Sequence, residues 1–316
     1  MSELRIVTLT ASATEIVCAL GAERNLVGIS HECDYPEHIL NRPRCTRTLI
    51  DPNLESSEID EQVRQFSASG VSLYQVDESL LKSLRPNVII TQTQCEVCAV
   101  SPSDLEFLGS KEFDGSPLLL NLEMSHLSGL YDDILEVARA IRKESAAFEL
   151  CAALRKRLER IRKRTYSFPK RSVVCIEWLD PIMISGNWMP ELVECAGGRS
   201  LLNDAGGRSA TISFQDIVAA NPDVIVFLPC GFPLLRTLNE FERVVQLHDW
   251  ESLPAFRRGT VYAADGNAYF NRPGPRLADS AEILAQILHP AVFDFPDIEN
   301  AYRQITSDFH KMKQKQ

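Results

Sequence analysis

The residues best equipped for chemistry are two thiols in Cys95-Glu96-Val97-Cys98 and a second short run that sets His31 two residues from Cys33. Cys-x-x-Cys is a metal or redox signature, because thiolates and imidazoles bind soft and borderline metals and four such ligands complete a tetrahedral zinc site. Both runs follow apolar segments, one ending at Thr91 and the other at Ser30. If those loops face each other, His31, Cys33, Cys95 and Cys98 form a candidate four-ligand metal site. Thioredoxin-like work is disfavoured, since no helix start follows the Cys pair directly.

A second group suits a ligand more than a reaction. Tyr35, Trp178, Trp188, Tyr269 and Phe270 fall in predicted loops after or between strands. Large aromatics in loops expose apolar area unless something covers them, and a flat ligand would do so; packing each ring under its own loop is the alternative. In Asn271-Arg272-Pro273-Gly274-Pro275-Arg276, two prolines stiffen a loop whose arginines offer a fixed fork of donors. Arg272 is the candidate ligand contact, while Arg276 has a local alternative in Asp279 or Glu282 on the following helix. Ser12-Ala13-Thr14-Glu15 has the form of a capping box. Its free backbone donors suit an anionic or carbonyl group, which makes Ser12 and Thr14 candidates as well. No Gly-x-Ser-x-Gly elbow, phosphate-binding P-loop or Gly-x-Gly-x-x-Gly fingerprint occurs. Asp132-Asp133 reads as part of a solvated helix face. Nothing here demands an enzyme.

These residues need a scaffold, and the apolar pattern supplies one. Arg5–Thr10, 26–30, 70–76 and 87–91 read as strands, with helices from Ser12 to a stop at Gly21 and from Glu78 to Leu84, an alternation that predicts a parallel sheet. Two pieces recur in the second half. Residues 14–21 align with 190–197, and 81–90 align with 217–226, each of the latter a helix ending at a proline before an apolar strand. The halves read as two versions of one α/β lobe. Between them, Leu127, Leu130, Ile134, Val137, Ile141, Leu150, Leu154, Leu158 and Ile161 recur at helical spacing over 124–164, as one long helix or two in series.

The chain has 316 residues, 33 Lys+Arg against 43 Asp+Glu, and a net charge of −10. Basic residues concentrate only in Arg155–Arg164 and the C-terminal tail, so no broad face for nucleic acid is expected. Nine cysteines at scattered spacings argue against a disulfide framework, and Cys18, Cys175 and Cys195 sit in apolar periodic segments as core residues. The start Met1-Ser2-Glu3-Leu4-Arg5 has no basic region, long apolar stretch or cleavage site, and no window has the ~18 apolar residues of a membrane span. The expectation is a soluble, cytoplasmic monomer.

Several segments share the order and spacing of one known family: Ser12-Ala13-Thr14-Glu15 with Leu20-Gly21, Val27-Gly28-Ile29-Ser30, Cys33-Asp34-Tyr35-Pro36 and the two Pro-Asn/Asp-Val-Ile strands. They continue through Trp178-Leu179-Asp180-Pro181-Ile182, Gly186-Asn187-Trp188, Glu191-Leu192-Val193, Gly197-Gly198 and Pro275-Arg276. Over residues 4–290 the chain resembles the helical-backbone metal-chelate and cobalamin-binding proteins, which are periplasmic-binding-protein-like and serve ABC transporters, and its nearest branch is the cobalamin-binding one. The resemblance implies two Rossmann-like lobes with parallel sheets joined by a long helical backbone: an N-terminal lobe at 1–123, a helical linker at 124–166, a C-terminal lobe at 167–290 and a helical tail at 291–316. It implies non-catalytic binding of a corrinoid between the lobes, on the aromatic loops, with His31 or a thiolate of the Cys95/Cys98 pair as a ligand to cobalt. Relatives that feed a membrane transporter carry an acidic docking residue on each lobe; the matching positions here are Ser79 and Gln215, with Glu78 and Asp216 one residue away. That departure argues against transporter docking. Two alternatives stay open: a metal- or thiol-dependent enzyme, or metal-binding protein, centred on Cys95 and Cys98, and a siderophore or haem binder, which needs more arginine or tyrosine at the site.

Overall fold

The computed structural model describes residues 3–93, 100, 102–109, 116–298 and 300–306. Cys95 and Cys98 lie outside the described residues. The chain divides into two compact units: Met1–Leu54, Glu61–Met124 and Ser128–Leu154 form the first, and Glu55–Asp60, Ser125–Leu127 and Arg155–Gln316 the second.

The first half of the chain runs β1 (Ile6–Thr8), α1 (Ala11–Ala19), β2 (Leu26–Ile29), β3 (Thr46–Thr48), α2 (Ser56–Ser69), β4 (Tyr74–Val76), α3 (Glu78–Leu84), β5 (Val88–Gln92), β6 (Leu118–Leu122), α4 (Gly129–Ile141) and α5 (Glu144–Thr165). Four strands form a parallel sheet in the order β2-β1-β5-β6. The order reverses between β1 and β5, and the carboxyl ends of strands at such a reversal are where open α/β sheets gather their binding loops. β5 is buried throughout, as a strand covered on both faces must be. Gly28 is required in β2, because a Cβ there would lie 2.5 Å from Cys45 Sγ and 2.8 Å from Leu84 Cδ1. The segment 70–76 does not join this sheet; only Tyr74–Val76 is extended, and it pairs antiparallel with β3 as a separate ribbon.

The helical stretch 124–164 is two helices in series. α4 ends where Arg142 turns left-handed at φ 59° and Lys143 N–H returns to Ala138 O at 2.8 Å, closing the helix as a C-cap. α5 then runs 22 residues, about 33 Å at ~1.5 Å per residue, and contributes to both units. Asp132 is exposed, but Asp133 is buried at 6% exposure, contrary to the expected solvated face. Helical spacing turns Asp133 inward beside Ile134 and Val137.

The second unit continues with β7 (Arg171–Trp178), β8 (Met183–Ile184), α6 (Met189–Cys195), β9 (Gly198–Ser200), β10 (Ala210–Thr211), α7 (Phe214–Ala220), β11 (Val224–Phe227), α8 (Leu234–Val244), α9 (Pro254–Arg257), β12 (Val261–Ala264), α10 (Leu277–Leu288) and β13 (Tyr302–Ile305). β7, β11 and β12 are parallel neighbours, with β9 parallel to the start of β7 and antiparallel strands at both margins, so this sheet is mixed. β13 corrects the expected helical tail: Tyr302–Ile305 pair antiparallel with β12, with Arg303 and Gln304 exposed and Ile305 buried, as suits a strand at the sheet edge. Phe227, Phe241 and Trp250 centre the core, Trp250 meeting both phenylalanine rings edge-on. Arg157 of α5 bonds Asp279 and Glu282 of α10, which fixes the end of the long helix to this unit.

The internal repeat extends to its caps. α3 and α7 begin with Asp77 and Ser213 accepting from the backbone, and end with Arg85 and Asn221 at φ 43°. Each precedes a proline, which bars the right-handed helical conformation there, and each returns its N–H to the carbonyl four residues back. Among the described residues no helix is long and apolar enough to cross a membrane.

Candidate ligand-binding site

In the first unit the β1 and β2 ends carry a buried hydroxyl–thiol network. The cap of α1 is Thr10, whose Oγ1 accepts from Ala13 N at 3.2 Å, so the helix starts before the expected Ser12 cap. Ser12 lies 3.1 Å from Thr10 Oγ1 and is 2% exposed. Thr14 is fully buried between Thr8 Oγ1 at 2.6 Å and Cys33 Sγ at 2.9 Å. These partners turn Ser12 and Thr14 into the protein, and helix pitch carried them there once the start moved to Ala11.

His31 Nδ1 sits 2.7 Å from Thr46 Oγ1, and burial helped by Arg44 pulls its pKa down to about 4. Cys33 is buried, and desolvation pushes its thiol up to about 11. His31 and Cys33 are thus held by separate partners, Thr46 and Thr14. Among the described residues no group of three or more His, Cys, Asp or Glu is placed to hold a metal. Tyr35, after β2, is 49% exposed.

The second unit gathers its loops at the carboxyl ends of β7, β11 and β12. Trp178 ends β7, half-buried, with its Nε1–H donating to Ser56 O at 3.2 Å. Its ring meets Phe232 edge-on at 5.3 Å, and the Arg236 guanidinium lies 3.8 Å over the same Phe232 ring. Ser56 is itself fixed, donating its N–H (2.8 Å) and hydroxyl (2.6 Å) to the buried Glu240 carboxylate. Glu177, one residue before Trp178, has a carboxyl pushed up to about 7 by burial, against the opposing bonds from Ser209 and the Gly186 N–H.

Hydrogen bonds tie the segments at this edge to one another. Asn271 Nδ2 donates to Leu228 O and Gly266 O, Thr237 Oγ1 to Ala264 O, and Asn267 N to Phe232 O. A Cβ on Gly266 would run into Pro229 O and Leu228 O, so only glycine lets the two loops close. Arg272 is 7% exposed and donates to Asn267 Oδ1 at 2.9 Å, a positioning part rather than an open contact. Tyr269 is half-buried with the Arg276 guanidinium 5.6 Å from its ring centre. Asp279 and Glu282, the expected local partners of Arg276, are bound by Arg157.

Two expected aromatics are not at the surface. Phe270 is fully buried, and Trp188 is 5% exposed with Nε1–H on Phe270 O at 3.1 Å. Both rings are buried in the unit, Trp188 tied to the distant 266–270 segment, and each buries a large apolar area. The second unit therefore presents Trp178 from the end of β7, Arg236 from the first turn of α8 and Tyr269 from the segment after β12. Phe232 and Arg236 escaped sequence reasoning, although Pro229-Cys230-Gly231-Phe232-Pro233, soon after an apolar strand, was a loop signal that could have found Phe232.

A family model described as periplasmic binding protein matches residues 69–268. The chain belongs to the periplasmic binding protein family. An uncharacterized ABC transporter substrate-binding lipoprotein of Bacillus subtilis (strain 168), YvrC, is 24% identical over 92% of this chain and 81% of its own length. Among solved structures, the periplasmic vitamin B12 binding protein BtuF of Vibrio cholerae matches with a TM-score of 0.64 at 20% identity, covering 91% of this chain and 97% of that one. A periplasmic heme binding protein from Pseudomonas aeruginosa matches with a TM-score of 0.73 at 18% identity, covering 96% and 99%. At these identities the two structures share the fold: α/β, in the helical-backbone class that the sequence pattern resembles.

Proposed function

We propose that this chain is a substrate-binding protein of the ABC-transporter type that holds a corrinoid of the cobalamin kind without acting on it chemically. The observation that carries this reading is Trp178. Its ring is half-buried at the carboxyl end of a central strand, fixed by Ser56 and backed by Phe232 and Arg236. A large flat ligand with an apolar body gains most from a ring held in place beforehand, because no ordering cost is left to offset the contact. The Vibrio cholerae relative, described as a vitamin B12 binding protein, supports the same reading.

Haem is the second reading, favoured by the two guanidinium–ring pairs, Arg236 on Phe232 and Arg276 on Tyr269. A haem site needs arginine and tyrosine, and these pairs supply both. Guanidinium suits carboxylates, which haem carries and cobalamin's amide rim does not. The Pseudomonas aeruginosa relative is described as a heme binding protein.

Calorimetric titration with hydroxocobalamin, cyanocobalamin and hemin separates the two. For a corrinoid, Trp178→Ala weakens binding by about 2 kcal/mol, roughly 30-fold, while Arg236→Ala has a smaller effect. Hemin binding that is tight and lost in Arg236→Ala selects haem. Undiminished binding of both ligands by Trp178→Ala overturns the site. A compartment that keeps thiols reduced is part of the proposal, supported by Cys33, Cys45, Cys175 and Cys195, buried thiols that are not in disulfides. Action without transporter docking is also part of it: Asp216 spends its carboxylate on the Ser213 cap, and Ser79 donates to Asp77. Cell fractionation and co-purification with a membrane permease test these two points.

A further inference from the structure

The C-terminal half of α5 and the turn after it are not used by the proposed site. Nine of the 17 residues from Arg155 to Arg171 are Lys or Arg and one, Glu159, is acidic, in a chain whose net charge is −10. Some of these cations have structural work. Arg157 and Arg160 bond Asp279 or Glu282, and Arg164 donates to Val292 O and lies 4.5 Å over Phe293. The helix turns Leu154, Leu158, Ile161 and Thr165 into the protein. Arg155, Lys156, Arg162 and Lys163 are exposed, and positions 155, 159, 162, 163 and 166 recur at the spacing of one helical face. Glu159 offsets part of that charge by pairing with Lys163 at 2.8 Å.

Two rings and another cation follow. Tyr166 is 91% exposed, Phe168 is 42% exposed, and Lys170 is exposed beyond them. Exposed aromatics beside a basic helix face have the chemistry of a membrane interface: the cations meet lipid phosphates, and amphipathic rings settle at headgroup depth. Five exposed Lys or Arg fall in the range of four to eight that marks attraction to anionic lipid. Nucleic acid fits less well, since the cations form one narrow stripe on an otherwise acidic chain.

We propose that this face, Arg155, Lys156, Arg162 and Lys163 with Tyr166, Phe168 and Lys170, docks the protein peripherally onto a bilayer rich in anionic phospholipid. It does so by surface charge and ring contact, without insertion of a helix. The proposal stands apart from the ligand-binding reading.

The test is co-sedimentation of the full chain with vesicles of phosphatidylcholine alone and with 30% phosphatidylglycerol. Binding is expected only to the anionic vesicles at low salt, with loss near 0.5 M NaCl as screening shortens. Each Lys or Arg near such a surface is worth roughly fivefold in partition. Arg162→Glu with Lys163→Glu therefore lowers binding at least about 25-fold, Tyr166→Ser several-fold, and Arg162→Lys with Lys163→Arg retains it. Circular dichroism and melting check folding, and Lys156→Glu with Lys163→Glu serves as a second reversal. Equal binding to neutral vesicles, no binding to either, wild-type binding by both reversals, or competition by a DNA duplex at lower concentration than lipid overturns the proposal.

Discussion

Replacing Glu240 by alanine removes the acceptor that holds Trp178 at one remove. Glu240 is 5% exposed and accepts from Ser56 N at 2.8 Å and Ser56 Oγ at 2.6 Å, while Ser56 O takes the Trp178 Nε1–H. Its other oxygen lies 3.8 Å from Arg243, which also pairs with Glu55. Hydrogen bonds to a charged acceptor contribute about 1.5–3 kcal/mol each, and donors left unmet in a buried place lose their hydration as well. Some of that loss relaxes, because Arg243 is 43% exposed and keeps Glu55. The expected cost is about 3 kcal/mol, or ~6–12 °C in the melting temperature of a unit this size. Glu240→Gln keeps an acceptor and costs about half as much. Urea unfolding followed by circular dichroism reads the stability, and tryptophan fluorescence quenching reads the freedom of Trp178. In Glu240→Ala, Trp178 becomes more accessible to iodide, and ligand affinity falls even where the protein is fully folded. A cost below about 1 kcal/mol, with quenching unchanged, refutes the chain from Glu240 through Ser56 to Trp178.

Three further outcomes follow from buried groups elsewhere. Burial raises the Asp133 carboxyl to about 7, and one of its oxygens has no hydrogen-bond partner. The folded chain holds that proton more tightly than the unfolded chain, so this contribution to stability is complete below about pH 4 and fades as pH rises through about 7. It amounts to at most roughly 4 kcal/mol. Asp133→Asn flattens the dependence, which urea midpoints at pH 5 and 8 will show. Arg157→Met leaves Asp279 and Glu282 without their shared cation and costs about 2 kcal/mol, recovered in part by adding Glu282→Gln; a double-mutant cycle with no coupling discounts the pairing. His31, pulled down to about 4, stays neutral across pH 5–8, so its imidazole resonances titrate only in acid; an NMR midpoint near 6.5 contradicts its burial against Thr46.

Local energies are written in local spacing, and those parts of this protein are legible without coordinates. The helix at Glu78–Leu84 falls on the expected residues, and the aligned segments 81–90 and 217–226 end in matching left-handed caps, because a residue before proline has few other conformations. The periodicity of 124–164 announced helices, and the order of weak motifs identified the family and the fold. Burial of particular side chains belongs to the tertiary structure. Trp188 and Phe270 carry the same loop signals as Trp178 and Tyr269, yet two lie inside and two half outside, because neighbouring loops cover one pair and not the other. The same holds for Asp133, turned inward beside an exposed Asp132, and for Arg272, drawn in to hold Asn267. Tyr302–Ile305 became a strand only because β12 offered it an open edge. Sequence marked candidates by residue type; contacts between residues up to 184 positions apart, as from Ser56 to Glu240, decided which of them face outward.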